Sequence, residues 1–231
     1  MPTAIITGAS RGLGLALARA LAERSWNLVL DARGGEALQK VAEELSATTA
    51  VVAVTGDVAD DNHRAELVEA ARAMGGPDLL VNNASLLGPS PQPKLADYPL
   101  DTFRTVYEVN VTAPLALLQR ALPLLAQSPQ GAVLNVTSDA GVEGYEGWGG
   151  YGSSKAALEQ LSKVLAAEHP ELKVWWVDPG DMNTQMQQEA FPDEDVSDRP
   201  PPEESVPGIL DLIDRGAPSG RYQARPSREE Q

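Results

Sequence analysis

The sequence ITGASRGLG, residues 6–14, joins a short apolar run to a pattern typical of an amphipathic helix. Its glycines are Gly8, Gly12 and Gly14. Glycine permits a tight turn and lets backbone N–H groups approach a pyrophosphate at a helix N-terminus. In this strand–turn–helix context the stretch predicts a dinucleotide site; the alternative is a turn that only packs the helix on the strand. The other residues of the turn that we expect to contact the dinucleotide are Ser10, Arg11 and Leu13.

The next apolar run ends in LVLDARGG, residues 28–35, and bears on which dinucleotide binds. A carboxylate at this strand end can hold the adenosine ribose 2′-hydroxyl, so Asp31 favours NAD if it points at the ribose. Arg33, assisted by Arg11, would pair with a 2′-phosphate and favours NADP. We expect NADP(H) and leave NAD(H) open.

Apolar runs and helical patterns alternate along the chain, which predicts an α/β fold with a doubly wound, mainly parallel sheet flanked by helices. The runs are rich in Val, Ile and Leu with little alternation, as in strands covered on both faces. We expect strands at 3–7, 27–32, 50–55, 78–83, 132–138 and 173–178, and a weak last strand at 220–224. The helical patterns lie at 12–24, 35–47, 60–74, 100–127 and 152–168.

Two Pro-rich segments, residues 86–99 and 182–204, follow predicted strands. Open α/β sheets bind ligands at the carboxyl ends of their strands, so we expect the second segment to be a substrate loop. Its composition is also that of disordered surface, which remains the alternative. We assign residues 1–224 to one domain and residues 225–231 to a frayed tail.

Composition argues against several classes of partner. The net charge of −15 and pI of about 4.5 disfavour nucleic acid and anionic membranes as partners. The absence of Cys fits a cytoplasmic location, and neither a signal peptide nor a membrane-spanning run is expected. His63 and His169 lie outside every motif; we expect them at the surface with no function, and we expect no metal site.

The sequence GWGGYGSSKAAL, residues 147–158, places a phenol and an amine one helical turn apart, at Tyr151 and Lys155. Positions i and i+4 share a helix face. A nearby ammonium lowers the pKa of a phenol from its usual value of about 10, so the pair predicts general acid–base catalysis. We expect the surrounding glycines, Gly150 among them, to keep the approach to the phenol uncrowded for substrate and cofactor.

Ser138 ends the fifth predicted strand, where its hydroxyl would hydrogen-bond a substrate oxygen that Tyr151 protonates or deprotonates. Asn110 lies within a long helical pattern, and Pro114 follows four residues later. Because a proline ring clashes with the carbonyl at i−4, we expect an opened helix with a free Asn110 carbonyl. A water bound there would pass protons to Lys155; the alternative is a simple kink.

Together these motifs resemble the short-chain dehydrogenase/reductase family over nearly the whole chain. The matching segments are TGASRGLG (7–14), GDV (56–58), NNA (82–84), Asn110, Ser138, YGSSK (151–155) and DPGDMNT (178–184). The resemblance implies a single Rossmann-type domain whose sheet has about seven strands, with a nicotinamide cofactor across its carboxyl edge. The chain departs from the family pattern at Ser85, where glycine is usual, and in its short C-terminal end.

The resemblance also implies residue roles. Asp57 and Val58 would contact the adenine, and Asn110 would serve the proton relay. The residues implied along the cofactor channel and at its nicotinamide side are Asn83, Ala84, Tyr151, Lys155, Pro179, Gly180 and Thr184.

The sequence therefore predicts an oxidoreductase that reduces a small carbonyl compound with NADPH. The alternatives are an NAD-dependent alcohol dehydrogenase and a dinucleotide-binding sensor or scaffold without turnover. An apolar, partly aromatic pocket suits a ketone, aldehyde or secondary alcohol of modest size. The candidates for that pocket are Tyr145, Trp148, Met182, Met186 and Phe191, with Leu86 as a further one. The resemblance implies a homodimer or homotetramer formed through the long helices at 100–127 and 152–168.

Overall fold

The structure is a computed structural model that describes residues 1–225, so residues 226–231 of the expected tail lie outside it. Within the described residues, seven parallel strands form one sheet in the order β3-β2-β1-β4-β5-β6-β7. The strands are β1 (Thr3–Ile6), β2 (Asn27–Ala32), β3 (Val51–Thr55), β4 (Leu79–Asn82), β5 (Ala132–Val136), β6 (Lys173–Asp178) and β7 (Gly220–Gln223). The order reverses between β1 and β4, and ligands of open α/β sheets bind at the carboxyl edge of that crevice.

Helices cover both faces of this sheet, as the doubly wound prediction requires. They are α1 (Gly12–Glu23), α2 (Gly35–Leu45), α3 (Asp61–Ala73), α4 (Leu100–Tyr107), α5 (Ala113–Leu125), α6 (Gly149–Glu168), α7 (Gln185–Ala190) and α8 (Val206–Arg215). Side chains of α1, α2 and α8 form one apolar core with the sheet, and those of α3, α5 and α6 form a second. The inner strands β1, β4 and β5 are buried on both sides, which explains their near-continuous apolar sequences, whereas the edge strands β3 and β7 are partly exposed.

The helical pattern at 100–127 is not one continuous α-helix. A π-helical segment, Glu108–Thr112, separates α4 from α5, and Pro114 stands in the first turn of α5. A proline cannot donate to the preceding turn, and its ring clashes with the carbonyl of Asn110. The opening expected beside Asn110 is therefore present, in the form of a π-bulge.

The segment at 182–204 folds back onto the domain and contains α7. The helix α8, which follows it and contains Pro207 and Gly208, is not among the helices predicted from the sequence. Proline suits a first helical turn, and a Cβ on Gly208 would lie 2.0 Å from the Ala224 carbonyl oxygen, so close packing requires the glycine. Arg225, assigned to the tail from sequence, is held by side-chain hydrogen bonds to the carbonyls of Pro179 and Asp181.

None of the helices in residues 1–225 combines the length and the apolar character needed to cross a membrane.

Candidate active site

The glycine-rich turn between β1 and α1 has the conformation that its sequence predicts. Gly8 and Gly12 have φ values of +68° and +56°, which side chains with a Cβ rarely adopt. A Cβ on Gly14 would lie 2.4 Å from the Gly8 carbonyl oxygen, so this third glycine lets the helix pack on the turn. Among residues 1–225, no side chain caps the N-terminus of α1, so its first N–H groups are available to an anion. The turn thus fits a dinucleotide pyrophosphate.

The sequence NNA after β4 braces this turn. The hydroxyl of Thr7 accepts the backbone N–H groups of Asn83 and Ala84, each at 3.0 Å. The Asn83 side chain donates to the carbonyls of Thr7 and Gly8 at 2.8 and 3.2 Å. These bonds hold the ends of β1 and β4 together at the point where the strand order reverses.

Asp31 points into the protein, where each of its carboxylate oxygens has a hydrogen-bond partner. It is buried, its Oδ2 accepts the Gly8 N–H at 3.3 Å, and its Oδ1 lies 2.5 Å from Nε2 of His63. The Asp31 hydrogen bond raises the pKa of His63. The expectation of a surface His63 was wrong: the imidazole is buried against Gly56, where a Cβ would lie 2.3 Å from Nδ1.

The arginines expected at a 2′-phosphate are both exposed at this edge of the sheet. Arg33 follows β2 directly, and Arg11 bonds the Gln185 side chain of α7. Val58 is buried, whereas Asp57 is exposed and caps the turn by accepting the Ala59 N–H at 2.9 Å. Of the remaining residues in the turn, Ser10 is half-buried and Leu13 packs in the core beneath it.

The segment after β6 closes the other side of the crevice. Gly180 has a φ of +70° and donates its N–H to Asp178 Oδ1 at 2.9 Å. The carbonyl of Pro179 is fixed by Ser205 at 2.8 Å. Thr184 caps α7, and its methyl group would lie 3.6 Å from a Cβ on Gly12. The predicted nicotinamide side therefore faces the glycine-rich turn.

Tyr151 and Lys155 lie side by side near the start of α6, as the four-residue spacing predicts. Both are buried, at 8% and 2% exposure, and Lys155 Nζ lies 5.4 Å from the centroid of the phenol ring. The ammonium donates to the Val136 carbonyl at 2.8 Å, which points it toward the end of β5. Burial lowers the pKa of Lys155 to about 8.

The phenol does not have the lowered pKa expected from its ammonium neighbour. Burial raises the pKa of Tyr151, and the charges of Asp178 and Asp139 raise it further, while the hydroxyls of Ser85 and Ser138 act in the opposite direction. Desolvation penalises the phenolate more than these dipoles stabilise it. The polypeptide by itself therefore holds Tyr151 as the protonated acid.

Asn110 is buried on the π-helical segment, and its side chain is fully engaged. Its Oδ1 accepts the Leu86 N–H at 2.8 Å and the Ser85 hydroxyl at 3.2 Å. Its Nδ2 donates to the Leu86 carbonyl and to Ser154 of α6. The side chain thus ties the loop after β4 to the helix that carries Tyr151, and any relay must use the backbone carbonyl.

The glycines around Tyr151 serve packing rather than access. A Cβ on Gly150 would lie 2.3 Å from the Tyr98 ring, and one on Gly149 would lie 2.6 Å from Leu95. A Cβ on Gly152 would lie 2.5 Å from the Ala140 carbonyl oxygen. The expectation of an uncrowded approach was therefore wrong, because the segment 86–99 fills the space beside the start of α6.

An apolar cluster adjoins the phenol. Leu87 and Ala140 are buried against Tyr151, with Trp148, Met186 and Ala190 packed around them. The Trp148 ring lies 5.8 Å from that of Tyr151, 5.9 Å from Phe191 and 6.4 Å from Tyr145. Met182 differs from expectation: it packs on the core of α1 and α8. Leu87, rather than Leu86, faces the phenol, a one-residue shift that loop sequences do not encode.

The comparisons with known proteins agree with this geometry. A sequence model of the family described as short chain dehydrogenase matches residues 2–195. The chain belongs to the short chain dehydrogenase family. An NADPH-dependent pterin aldehyde reductase of Arabidopsis thaliana is 33% identical over 191 residues, covering 82% of this chain and 78% of that protein. A sepiapterin reductase of Meriones unguiculatus is 34% identical over 197 residues, covering 80% and 75%.

Solved structures extend the likeness to nearly the whole chain. A short chain dehydrogenase from Escherichia coli CFT073, in complex with NADPH, superposes with a TM-score of 0.89 at 29% identity, covering 97% of both chains. The protein is therefore an oxidoreductase with the family's fold. The second alternative, a dinucleotide-binding sensor or scaffold without turnover, is not what these relatives are named for.

Charged residues that the sequence reading missed lie directly beneath this short chain dehydrogenase site. Arg221 of β7 donates to Glu159 of α6 at 3.0 Å, to Asp178 at 3.3 Å and to the Ser138 carbonyl at 3.3 Å. Glu159 also accepts the Thr137 hydroxyl at 2.8 Å. The sequence signal that could have pointed to Arg221 is an arginine within the predicted last strand, residues 220–224. Within residues 1–225, no group of three His, Cys, Asp or Glu side chains is arranged to hold a metal ion.

Proposed function

We propose that this protein reduces small carbonyl compounds with NADPH, using Tyr151 as general acid. The observation that carries the proposal is the buried pair of Tyr151 and Lys155, whose surroundings keep the phenol protonated beside an apolar cluster. A protonated phenol is the form that carbonyl reduction requires, because the oxygen gains a proton in that direction.

Three side chains, those of Ser138, Tyr151 and Lys155, have separate roles in the proposed reaction. Ser138 donates a hydrogen bond to the substrate oxygen and stabilises the negative charge that develops there. Tyr151 gives that oxygen its proton, and Lys155 returns a proton to the phenol. A water that donates to the Asn110 carbonyl would in turn pass a proton from solvent to Lys155. The cofactor, when bound, supplies the hydride. The glycine-rich turn would hold its pyrophosphate, and the segment from Pro179 to Thr184 its nicotinamide side.

Support for NADP over NAD comes from the charges beside β2. Asp31 is committed to His63 and to the Gly8 N–H, so its carboxylate is not available to a ribose hydroxyl. Arg33 is exposed just beyond it and suits a phosphate. Relatives and structural neighbours that are named with NADPH support the same choice.

The test is a panel of ketones and aldehydes, including a 6-acyl pterin because of the named pterin reductases among its relatives, read by NADPH and NADH absorbance. We expect NADPH-dependent reduction, with kcat lowered about 10³-fold or more in Tyr151→Phe. Arg33→Ser should raise KM for NADPH about tenfold and leave NADH unchanged. Tighter use of NADH by the wild type, or full activity of Tyr151→Phe, would refute the respective part of the proposal.

A further inference from the structure

Asp139 directly follows Ser138 and already holds its hydroxyl hydrogen. The Ser138 Oγ lies 2.8 Å from Asp139 Oδ1. An ionised carboxylate can only accept, so Ser138 must be the donor, and a serine has one hydroxyl hydrogen to give. The same Oδ1 also accepts the Ala140 N–H at 2.8 Å. Asp139 therefore competes for the one hydrogen that Ser138 can offer to the Tyr151 oxygen or to a substrate oxygen.

Asp139 is an exposed residue, and its second oxygen, Oδ2, is also hydrogen-bonded. It accepts the Tyr145 hydroxyl at 3.0 Å, and this bond raises the pKa of Tyr145. Tyr145 packs edge-to-face on Trp148, which contacts Tyr151 in the same way. Among residues 1–225, no Lys, Arg or His forms an ion pair with Asp139. Its carboxylate is thus held by neutral donors at the edge of the aromatic cluster.

Substrate binding must change the bond between Ser138 and Asp139. When the Ser138 hydrogen turns to a carbonyl oxygen, two acceptor oxygens remain facing each other at 2.8 Å. An acceptor left without its donor loses a hydrogen bond and gains a repulsive neighbour. A substrate removes this penalty if it brings its own donor to Asp139 while its carbonyl accepts from Ser138. In such a substrate the donor stands on the carbon next to the carbonyl.

We propose that Asp139 is a substrate-binding carboxylate that selects carbonyl compounds with a hydrogen-bond donor on the adjacent carbon. This inference rests on the proposed function of Ser138 and Tyr151. An ammonium donor binds more tightly than a hydroxyl, because its hydrogen bond to a carboxylate is charge-assisted. A carboxylate in the same place is rejected by like-charge repulsion.

The test uses four matched ketones: acetophenone, 2-hydroxy-1-phenylethanone (the hydroxy ketone), 2-amino-1-phenylethanone (the amino ketone) and phenylglyoxylate. In the wild type we expect kcat/KM for the hydroxy and amino ketones to exceed that for acetophenone by about tenfold or more, and phenylglyoxylate to be poorest. In Asp139→Ala the donor ketones fall to within about twofold of acetophenone. The readout is the ratio of kcat/KM values within each variant, because Asp139→Ala also removes a charge that raises the pKa of Tyr151 and so changes the absolute rates.

The matched control is Glu143→Gln, which removes one negative charge from an exposed residue of the same loop. It should leave the preference intact, because Glu143 takes no hydrogen bond from Ser138. Circular dichroism melts of both variants check that folding is unchanged. Three results would overturn the proposal: no preference in the wild type, a preference that survives in Asp139→Ala, or an equal loss in Glu143→Gln.

Failure of the proposed function gives a different result. If the wild type reduces acetophenone and Tyr151→Phe does not, an absent preference counts against Asp139 alone. If the wild type reduces neither these ketones nor any compound of the wider panel, the proposed function fails. Calorimetric titration of NADP⁺-loaded protein with 2-amino-1-phenylethanone and with acetophenone then tests whether Asp139 binds the donor. The proposal requires tighter binding of the amino ketone in the wild type and equal binding in Asp139→Ala.

Discussion

Burial affects the two central residues in ways that set the direction of the chemistry. The pKa of Tyr151 is raised by burial, and that of Lys155 is lowered by burial to about 8. A phenol with a raised pKa is a proton donor at neutral pH and a poor acceptor. At the scale of single residues, these two pKa shifts support the proposed carbonyl reduction, in which the phenol gives up its proton.

The pKa shifts of Tyr151 and Lys155 predict how the rates of reduction and oxidation depend on pH. Reduction should be constant at neutral pH and decline as the pH rises through about 8, where Lys155 loses the proton that it returns to the phenol. Oxidation needs the phenolate, so its rate should increase with pH over the same range. Initial rates in both directions test this. Lys155→Arg keeps its charge over this pH range. If the rate of reduction in that variant also declined near pH 8, Lys155 would not be the group that titrates.

The pair of His63 and Asp31 predicts a pH-dependent stability. The pKa of His63 is raised by its hydrogen bond to Asp31, so the contribution of the pair is complete below the unfolded value of about 6.5. It is lost as the pH rises through the raised, folded value. His63→Gln should therefore lower the free energy of unfolding by roughly 1–3 kcal/mol at acidic pH, and by less once the pH has risen through the raised pKa of His63. Urea titrations measure it, and a pH-independent difference would count against the charged pair.

At the scale of elements, four pieces of secondary structure meet at Arg221. Its guanidinium joins β7 to Glu159 on α6, to Asp178 at the end of β6, and to the Ser138 carbonyl beyond β5. Both carboxylates are buried, and Asp178 also raises the pKa of Tyr151. The guanidinium thus offsets negative charge directly beneath the phenol and fixes the strand end that carries Ser138.

Arg221→Met should therefore reduce both stability and activity. We expect a loss of roughly 2–4 kcal/mol in the free energy of unfolding, since two buried carboxylates lose their cation, and a higher pKa for Tyr151. Tyrosinate absorbance at alkaline pH, compared with Tyr151→Phe, follows that pKa. Arg221→Lys keeps the charge and should recover most of the loss. Adding Asp178→Asn to Arg221→Met should return the Tyr151 pKa toward the wild-type value; an unchanged titration in every variant would leave Arg221 a purely structural residue.

At the scale of the whole molecule, an apolar groove lies between α5 and α6, away from the cofactor edge. Its lining includes Leu115, Leu118, Leu161, Val164 and Leu165, and Val164 is 42% exposed. Patches of this kind on soluble proteins mark interaction surfaces. The family resemblance implies a homo-oligomer formed through these same helices, and we predict that this groove is part of its interface.

Val164→Glu should convert the expected dimer or tetramer to monomers, because a buried charge at a symmetric interface meets its own copy. Sedimentation velocity gives the oligomeric state. Val52→Glu is the matched control, since Val52 is 36% exposed but lies on β3 at the far edge of the sheet. A monomeric wild type would refute the prediction, and so would an oligomer that persists in Val164→Glu.

The sequence by itself determined the features that depend on short separations along the chain. Strand positions follow from apolar runs, and the glycine turn follows from the φ values that its glycines allow. The shared face of Tyr151 and Lys155 follows from helix geometry, and the opening at Asn110 from Pro114 four residues later. These are steric and periodic properties of a few neighbouring residues, so they are readable without the fold.

Only the tertiary structure decided which side chains the buried charges would meet. Asp31 could have served a ribose, but packing places His63 against it; Gly150 is required because Tyr98 packs against it. Arg221 meets partners on three other elements. Such pairings join residues far apart in sequence, and the cost of burying a charge depends on the complete set of neighbours that folding brings together. Local pattern carries no record of that set.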